Sequence, residues 1–327
     1  MSKSVNTVMG PISIDDLGKT LIHEHFVFGY PGYSGDITLG PYNREEALEV
    51  GINVAKKVLS YGVKTVVDAT PNETGRDVEL LKTISKISGL NIICTTGYYF
   101  EDEGAPAYFK FRSTLGDAES EIYELFIKEI TEGVSKTGIK PGTIKLASSK
   151  NLITDYEAMF FRAAAKAQKE TGVAIITHTQ EGTMGFEQAE MLISAGVNPQ
   201  KIVIGHMCGS TNLDYHLRTL ETGVYIAFDR IGIQGMVGAP MDSERVKTIV
   251  ALVKQGYADR IMLSHDTVNF WLGRPLAMPD AVATLLANWH PTHIFENIVP
   301  KLKQSGVTDN QITTMLVDNP RRLFFGD

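Results

Sequence analysis

A chain of 327 residues that is 43% hydrophobic can bury a sizeable core, and a formal net charge of −7 excludes the basic footprint of a nucleic-acid-binding protein. No run of apolar residues is long enough for a transmembrane helix, and the opening MSKSVNTVMGPISIDDLGKT lacks both a signal-peptide core and a twin arginine. A cytoplasmic protein with no membrane or nucleic-acid partner is expected.

In chain order, short apolar β-type runs alternate with amphipathic helical stretches. Strands are expected at Thr20–Ile22, Lys64–Ala69, Asn91–Thr96, Thr143–Ala147, Ala174–Thr177, Ile202–Gly205, Val224–Phe228 and Ile261–Ser264. Between them the spacing predicts helices over Asn43–Leu59, Val78–Ile87, Glu119–Thr131, Tyr156–Glu170, Phe186–Ala195, Leu213–Glu221 and Glu244–Gln255, most of them stopping at or beside a glycine. Continuously apolar strands separated by helices indicate a parallel sheet covered on its outside. Eight such units, with no linker or low-complexity break, predict a (β/α)8 barrel spanning residues 1–327 as one domain. An open doubly wound sheet is the alternative, but no Gly-rich phosphate loop follows an early strand. The longest strand-to-helix loop, His265 to Pro291, falls on the face where barrels carry their sites and is the natural place for substrate selection.

The two cysteines stand alone. Cys94, in an apolar run, reads as a buried small hydrophobe, and Cys208, two residues after His206, as a more accessible one. Neither suggests a disulfide framework, which fits a reducing compartment.

Metal-competent residues gather at the C-terminal ends of the expected strands: His23 and His25 after the first, Lys145 in the fourth, His178 after the fifth, His206 after the sixth and Asp266 after the eighth. Residues two apart on a strand point the same way, so His23 and His25 can grip one cation from inside the barrel. Glu24 between them points elsewhere, as a surface group or a support for the ligands. Lys145 lies between Ile144 and Leu146, which should face the helices, so it is aimed inward. A buried ammonium there has a lowered pKa. Neutral, such an amine can add carbon dioxide and become an anionic two-oxygen ligand. Paired with Asp266, it would instead be an ordinary buried ion pair. Asp266 can ligate a metal and also accept a proton from attacking water. His265, His216, His290 and His293 read as ordinary histidines. No Gly-x-Ser-x-Gly elbow is present, which excludes the corresponding serine-hydrolase reading.

The set His23, His25, Lys145, His178, His206 and Asp266 resembles the phosphotriesterase family of the amidohydrolase superfamily over nearly the full length, from Thr20-Leu21-Ile22-His23-Glu24-His25 through Thr96-Gly97-Tyr98-Tyr99 to Ser264-His265-Asp266 and Asp318-Asn319-Pro320. Tyr98, Phe228-Asp229-Arg230 and the loop through Trp289-His290-Pro291-Thr292 resemble the phosphotriesterase-like lactonases most. The resemblance implies two divalent metals (zinc, with cobalt, manganese or iron as alternatives) bridged by N6-carboxylysine at Lys145. The inner metal would be held by His23, His25 and Asp266, and the outer by His178 and His206. It further implies a homodimer and the opening of N-acyl homoserine lactones or related γ- and δ-lactones by a metal-bridging hydroxide, with slower phosphotriester hydrolysis. Tyr98 would hold the substrate near the bridge. Arg230 would orient substrate or tie two loops by a salt bridge. Trp271, Leu272 and Met278 would line an acyl-chain groove or pin their loop to the barrel. The competing functions are a dedicated phosphotriesterase and, in a different class, a non-catalytic barrel that binds a small apolar ligand.

Overall fold

Two strands absent from the sequence expectation come first: Ser4–Thr7 (β1) and Gly10–Ser13 (β2) pair antiparallel. Eight further strands then form one parallel sheet in sequence order: Lys19–Glu24 (β3), Val63–Asp68 (β4), Asn91–Gly97 (β5), Thr143–Ser148 (β6), Ala174–Thr179 (β7), Ile202–Ile204 (β8), Tyr225–Phe228 (β9) and Ile261–Leu263 (β10). They are the eight expected runs, with ends shifted by at most two residues. This computed structural model describes residues 4–326; the first three residues of the N-terminal reading, and Asp327, lie outside them.

The sheet closes on itself at β3 and β10, but the seam lies beyond the end of β10. Asp266 N donates to His23 O at 3.0 Å and His25 N to Thr267 O at 2.9 Å, and His25 and Phe28 form isolated parallel bridges with Val268 and Trp271. The result is a (β/α)8 barrel. Its helices include Arg44–Ser60, Val78–Ser88, Ala118–Thr131, Asp155–Thr171, Gly185–Ser194, Leu213–Leu220, Asp242–Lys254 and a helical stretch Ile294–Gln304. Several start where the sequence offers a side-chain cap: Asn43, Asp77, Asp117 and Asn212 each accept a backbone N–H of the first turn, and Thr154 with Glu157 makes a reciprocal capping box.

Strand alternation divides the core in two. Outward residues such as Leu21, Val66, Ile92, Ile144, Leu146 and Ile175 pack under the helices. Inward residues such as Ile22, Val67, Ile93, Ile176, Val203 and Met262 join Val5 of β1 and the C-terminal Leu323, Phe324 and Phe325 in a second cluster. That plug fills the N-terminal end of the barrel with apolar side chains, so the polar inward residues are left at the other end. β3 departs from simple alternation: Leu21 pairs with Val66 and Glu24 with Asp68, so three steps on β3 match two on β4. Such a bulge re-aims side chains, and here Ile22 joins the inner plug while His23, its neighbour, faces the site. Among the described residues, no helix is long and apolar enough to cross a membrane.

Candidate metal centre

His23, His25, Lys145, His178, His206 and Asp266 all line one cavity at the C-terminal end of the barrel. On β6, Ile144 and Leu146 face the helices and Lys145 is buried inside, as alternation demands. His178 repeats the inward setting of Ile176 two residues earlier on β7. His206 follows β8 through Gly205, where a β-carbon would lie 2.1 Å from Thr177 O; no larger residue fits there. His206 and Asp266 both adopt left-handed backbone, φ 58° and 55°, so the chain turns sharply at two of the expected ligand positions.

Hydrogen bonds fix which ring nitrogens are free. Asp229 Oδ2 lies 2.8 Å from His23 Nδ1 and Asp229 Oδ1 lies 2.9 Å from His206 Nδ1. An ionised carboxylate only accepts, so both Nδ1 atoms carry the proton and both Nε2 lone pairs are bare. Thr70 donates its hydroxyl to Val27 O at 3.1 Å and therefore accepts from His25 Nδ1 at 2.8 Å, which bares His25 Nε2 as well. His178 Nε2 is held by Gln180 Oε1 at 2.8 Å, leaving Nδ1 as its open donor. Phe100 stacks on the His178 ring and Tyr99 meets it edge-on.

The bare nitrogens of His23, His25 and His206 converge on Asp266. Its Oδ1 lies 2.9 Å from His25 Nε2 and 3.4 Å from His23 Nε2, and its Oδ2 lies 3.6 Å from His206 Nε2. Lone pairs packed against an ionised carboxylate repel unless a cation sits among them, so the donor set fits a metal. His23, His206 and Asp266 form the tightest such group. Lys145 Nζ lies 2.9 Å from His23 Nε2, close enough for a group attached to it to join the set.

The protonation states agree. Burial holds His23 and His178 below the usual histidine range and brings His206 down to about 3, so all three are neutral at pH 7. Burial alone would raise Asp266, but with the rings neutral the Arg230 guanidinium bonded to it keeps the carboxylate ionised. Burial likewise opposes ionisation of Asp229, and the contacts with His206 and His23 reverse the effect. Burial lowers the Lys145 ammonium to about 8, so about a tenth is the neutral amine at pH 7, far more than for an exposed lysine.

Not every expected residue is where the sequence reading put it. Tyr98 leaves the site: its ring packs on Phe109, Phe126 and Phe160 beneath the helices, with Asn72 beside its hydroxyl. Alternation along β5 carries through Gly97: Ile92, Cys94 and Tyr98 pack outside, while Ile93 and Tyr99 face inward, so Tyr99 takes the cavity position. Trp271 and Met278 line the cavity, but Leu272 points the other way and packs over Gly29 and Gly75, whose added β-carbon would come within 2.1 Å of Leu272 Cδ1. Arg230 lines the cavity and donates from Nε to Asp266 Oδ2 at 2.9 Å. Cys208 is fully buried rather than accessible, with its thiol pushed up to about 11 by burial and accepting the Arg230 backbone N–H. Glu24 is buried, not on the surface. Its carboxylate accepts from Ser264, Thr267 and both the backbone and Nδ1 of His265, so it shapes the turn that presents Asp266 and keeps His265 out of the ligand set.

Asp229, Thr70 and Gln180 were missed as supports. Asp229 stood in the quoted Phe228-Asp229-Arg230 run, and its place at a strand end beside His206 was the available signal. Thr70 and Gln180 carry no signal short of the folded geometry.

A phosphotriesterase-family profile matches residues 3–324. The chain is 37% identical to an aryldialkylphosphatase of Saccharolobus solfataricus, covering 97% of this chain and 98% of that one. It is 31% identical to a phospho-furanose lactonase of Mycoplasmopsis synoviae, over 100% of this chain and 93% of that one. A solved structure of a variant PTE-like lactonase from Deinococcus radiodurans superposes with a TM-score of 0.97 at 53% identity, covering 98% of this chain and 99% of that one. With its barrel, its convergent histidines and a match over nearly its whole length, the chain belongs to the phosphotriesterase family.

Proposed function

We propose that the protein is a metal-dependent hydrolase that opens lactones carrying an apolar chain. The observation that carries this reading is the contrast between the cavity's floor and wall. The floor is the histidine–aspartate set; the wall is Phe28, Tyr30, Ile233, Met236, Val268, Trp271, Leu276, Met278 and Trp289. Among the described residues, the only lysine and arginine lining the cavity are Lys145, on the floor, and Arg230, bonded to Asp266. A phosphorylated sugar lactone needs a free cationic pocket, which this wall does not supply. A fatty acyl chain needs apolar surface, which it does.

His23, His25 and Asp266 would hold one divalent metal and His178 and His206 a second, with Lys145 reaching both as its carbamate. Bound metal supplies Lewis acidity toward the ester oxygen and lowers the pKa of water. To form the carbamate, the Lys145 amine adds to the carbon of carbon dioxide: an N–C bond forms, one C=O π pair moves to oxygen, and the nitrogen releases a proton. Within the pocket, Asp266 is ionised and placed to accept a proton. Tyr99, whose phenol is kept protonated by burial, has a hydroxyl to donate to substrate. Arg230 fixes the orientation of the Asp266 carboxylate.

The test is kcat/KM on metal-loaded protein for a long-chain N-acyl homoserine lactone, a chainless γ-lactone and a dialkyl aryl phosphotriester. A lead of about a hundredfold for the acyl lactone, or about 2.7 kcal/mol of transition-state preference, supports the proposal. A leading phosphotriester makes the protein a dedicated phosphotriesterase. No turnover of any ester by the loaded protein favours a barrel that only binds. Intact mass under carbon dioxide, compared with Lys145→Met, tests the carbamate separately.

A further inference from the structure

A buried polar cluster outside the ligand set joins the two loops that wall the cavity. Asp242 opens the helix Asp242–Lys254. Its Oδ1 accepts Gly232 N–H at 3.2 Å and Arg245 Nη1 at 2.8 Å, and its Oδ2 lies 2.9 Å from His293 Nε2. Asn297 Nδ2 donates to His293 Nδ1 at 3.0 Å, so Nε2 bears the proton given to Asp242. Arg245 Nη1 also donates to Ile233 O at 2.6 Å, and the backbone N–H of Asp242 returns to Gln234 Oε1 at 3.0 Å. One carboxylate thus gathers the loop 229–241 after β9 and the residue that ends the long loop after β10.

Above the cluster the two loops touch. A β-carbon on Gly232 would lie 2.5 Å from Asn288 O and 2.9 Å from Trp289 Cα. Trp289 is pinned further by its Nε1–H, which donates to His265 O at 3.0 Å. Ile233 and Trp289, the neighbours of these contacts, both line the cavity. Burying a charged pair is costly and is weak evidence for stability; the better-attested use of such groups is to specify position.

We infer that Asp242 is a positioning residue for the substrate cavity: through Arg245 and His293 it binds the two loops into one wall and fixes Ile233 relative to Trp289. This rests on the cavity being the substrate site. The cluster decides how well an apolar chain is held and leaves the metal ligands alone.

Both tryptophans of the chain, Trp271 and Trp289, line the cavity, so tryptophan emission reports on the wall without any turnover. Trp289 is isolated in a Trp271→Phe background for fluorescence; kinetics use the native tryptophans. His293→Ala removes one strut, His293→Gln keeps an N–H donor, and Gly232→Ala wedges the loops apart at the backbone while leaving every side chain of the cluster in place. In His293→Ala and Gly232→Ala, Trp289 becomes more accessible to acrylamide, KM for a long-chain acyl lactone rises about tenfold, and kcat for a chainless lactone stays within about twofold. His293→Gln recovers both readouts. Unchanged quenching in both variants overturns the inference, as does a joint loss of kcat and KM on both lactones or a failure of His293→Gln to rescue. If His293→Ala does not fold, Gly232→Ala and His293→Gln still decide. If the native protein opens no lactone, the substrate reading fails, and quenching alone decides the role of Asp242.

Discussion

Asp229 holds His206 twice through one oxygen: Oδ1 accepts the His206 ring Nδ1–H at 2.9 Å and the His206 backbone N–H at 2.7 Å. The same carboxylate fixes the His23 tautomer from its other oxygen. Asp229→Asn keeps the shape but turns one oxygen into a donor, which forces one ring to give up its protonated Nδ1 and lose its free Nε2. Metal affinity, measured by chelator competition, should fall about 10- to 100-fold while far-UV circular dichroism is unchanged. Chelation should likewise lower the Tm of the native protein, and less so that of the variant.

The two adjacent tyrosines should separate stability from catalysis. Tyr98→Phe removes a buried hydroxyl beside Asn72 and should cost about 1 kcal/mol in denaturant unfolding, with kcat/KM unchanged. Tyr99→Phe should leave stability alone and lower kcat/KM on a lactone about tenfold. The reverse pattern would return the functional role to Tyr98.

Glu73 gives a pH signature. Its Oε1 accepts Tyr99 N–H at 2.5 Å, its Oε2 is buried without a hydrogen-bond partner, and burial pushes the carboxyl up from 4.5 to about 7. A folded pKa above the unfolded one means that stability is fully present below about pH 4.5 and lost as pH rises through about 7. Glu73→Gln mimics the protonated acid. Its Tm should match the native protein at low pH and exceed it above neutrality, by an amount worth up to about 3 kcal/mol. An advantage that is independent of pH would mean the carboxyl does not titrate in this range.

The barrel was legible because alternation in buried parallel strands leaves an unbroken apolar signature, and a polar residue inside it, as at Lys145, is conspicuous. The gathering of histidines, Lys145 and Asp266 in one cavity at the strand ends followed from the same pattern. The tyrosine error lay in following the resemblance: alternation from Ile93 already places Tyr99 inside and Tyr98 outside. Beyond β10, Trp271 and Leu272 point to opposite sides. Asp229 was visible as a residue but not as a partner, since its role depends on two rings 23 and 206 residues before it. The β1–β2 hairpin is too short to show a period.

The seam between β3 and β10 has a consequence for how the molecule is made. His23 and Asp266 meet across a separation of 243 residues, counted from their positions, and Glu24 bonds Thr267 across the same 243. Contacts so distant in sequence carry a high loop-closure cost and form late. During synthesis, the first two histidines must wait until most of the chain has emerged before their carboxylate partner exists. A truncated or half-folded chain therefore offers no complete grip for a metal, and metal uptake is a report that the barrel has shut.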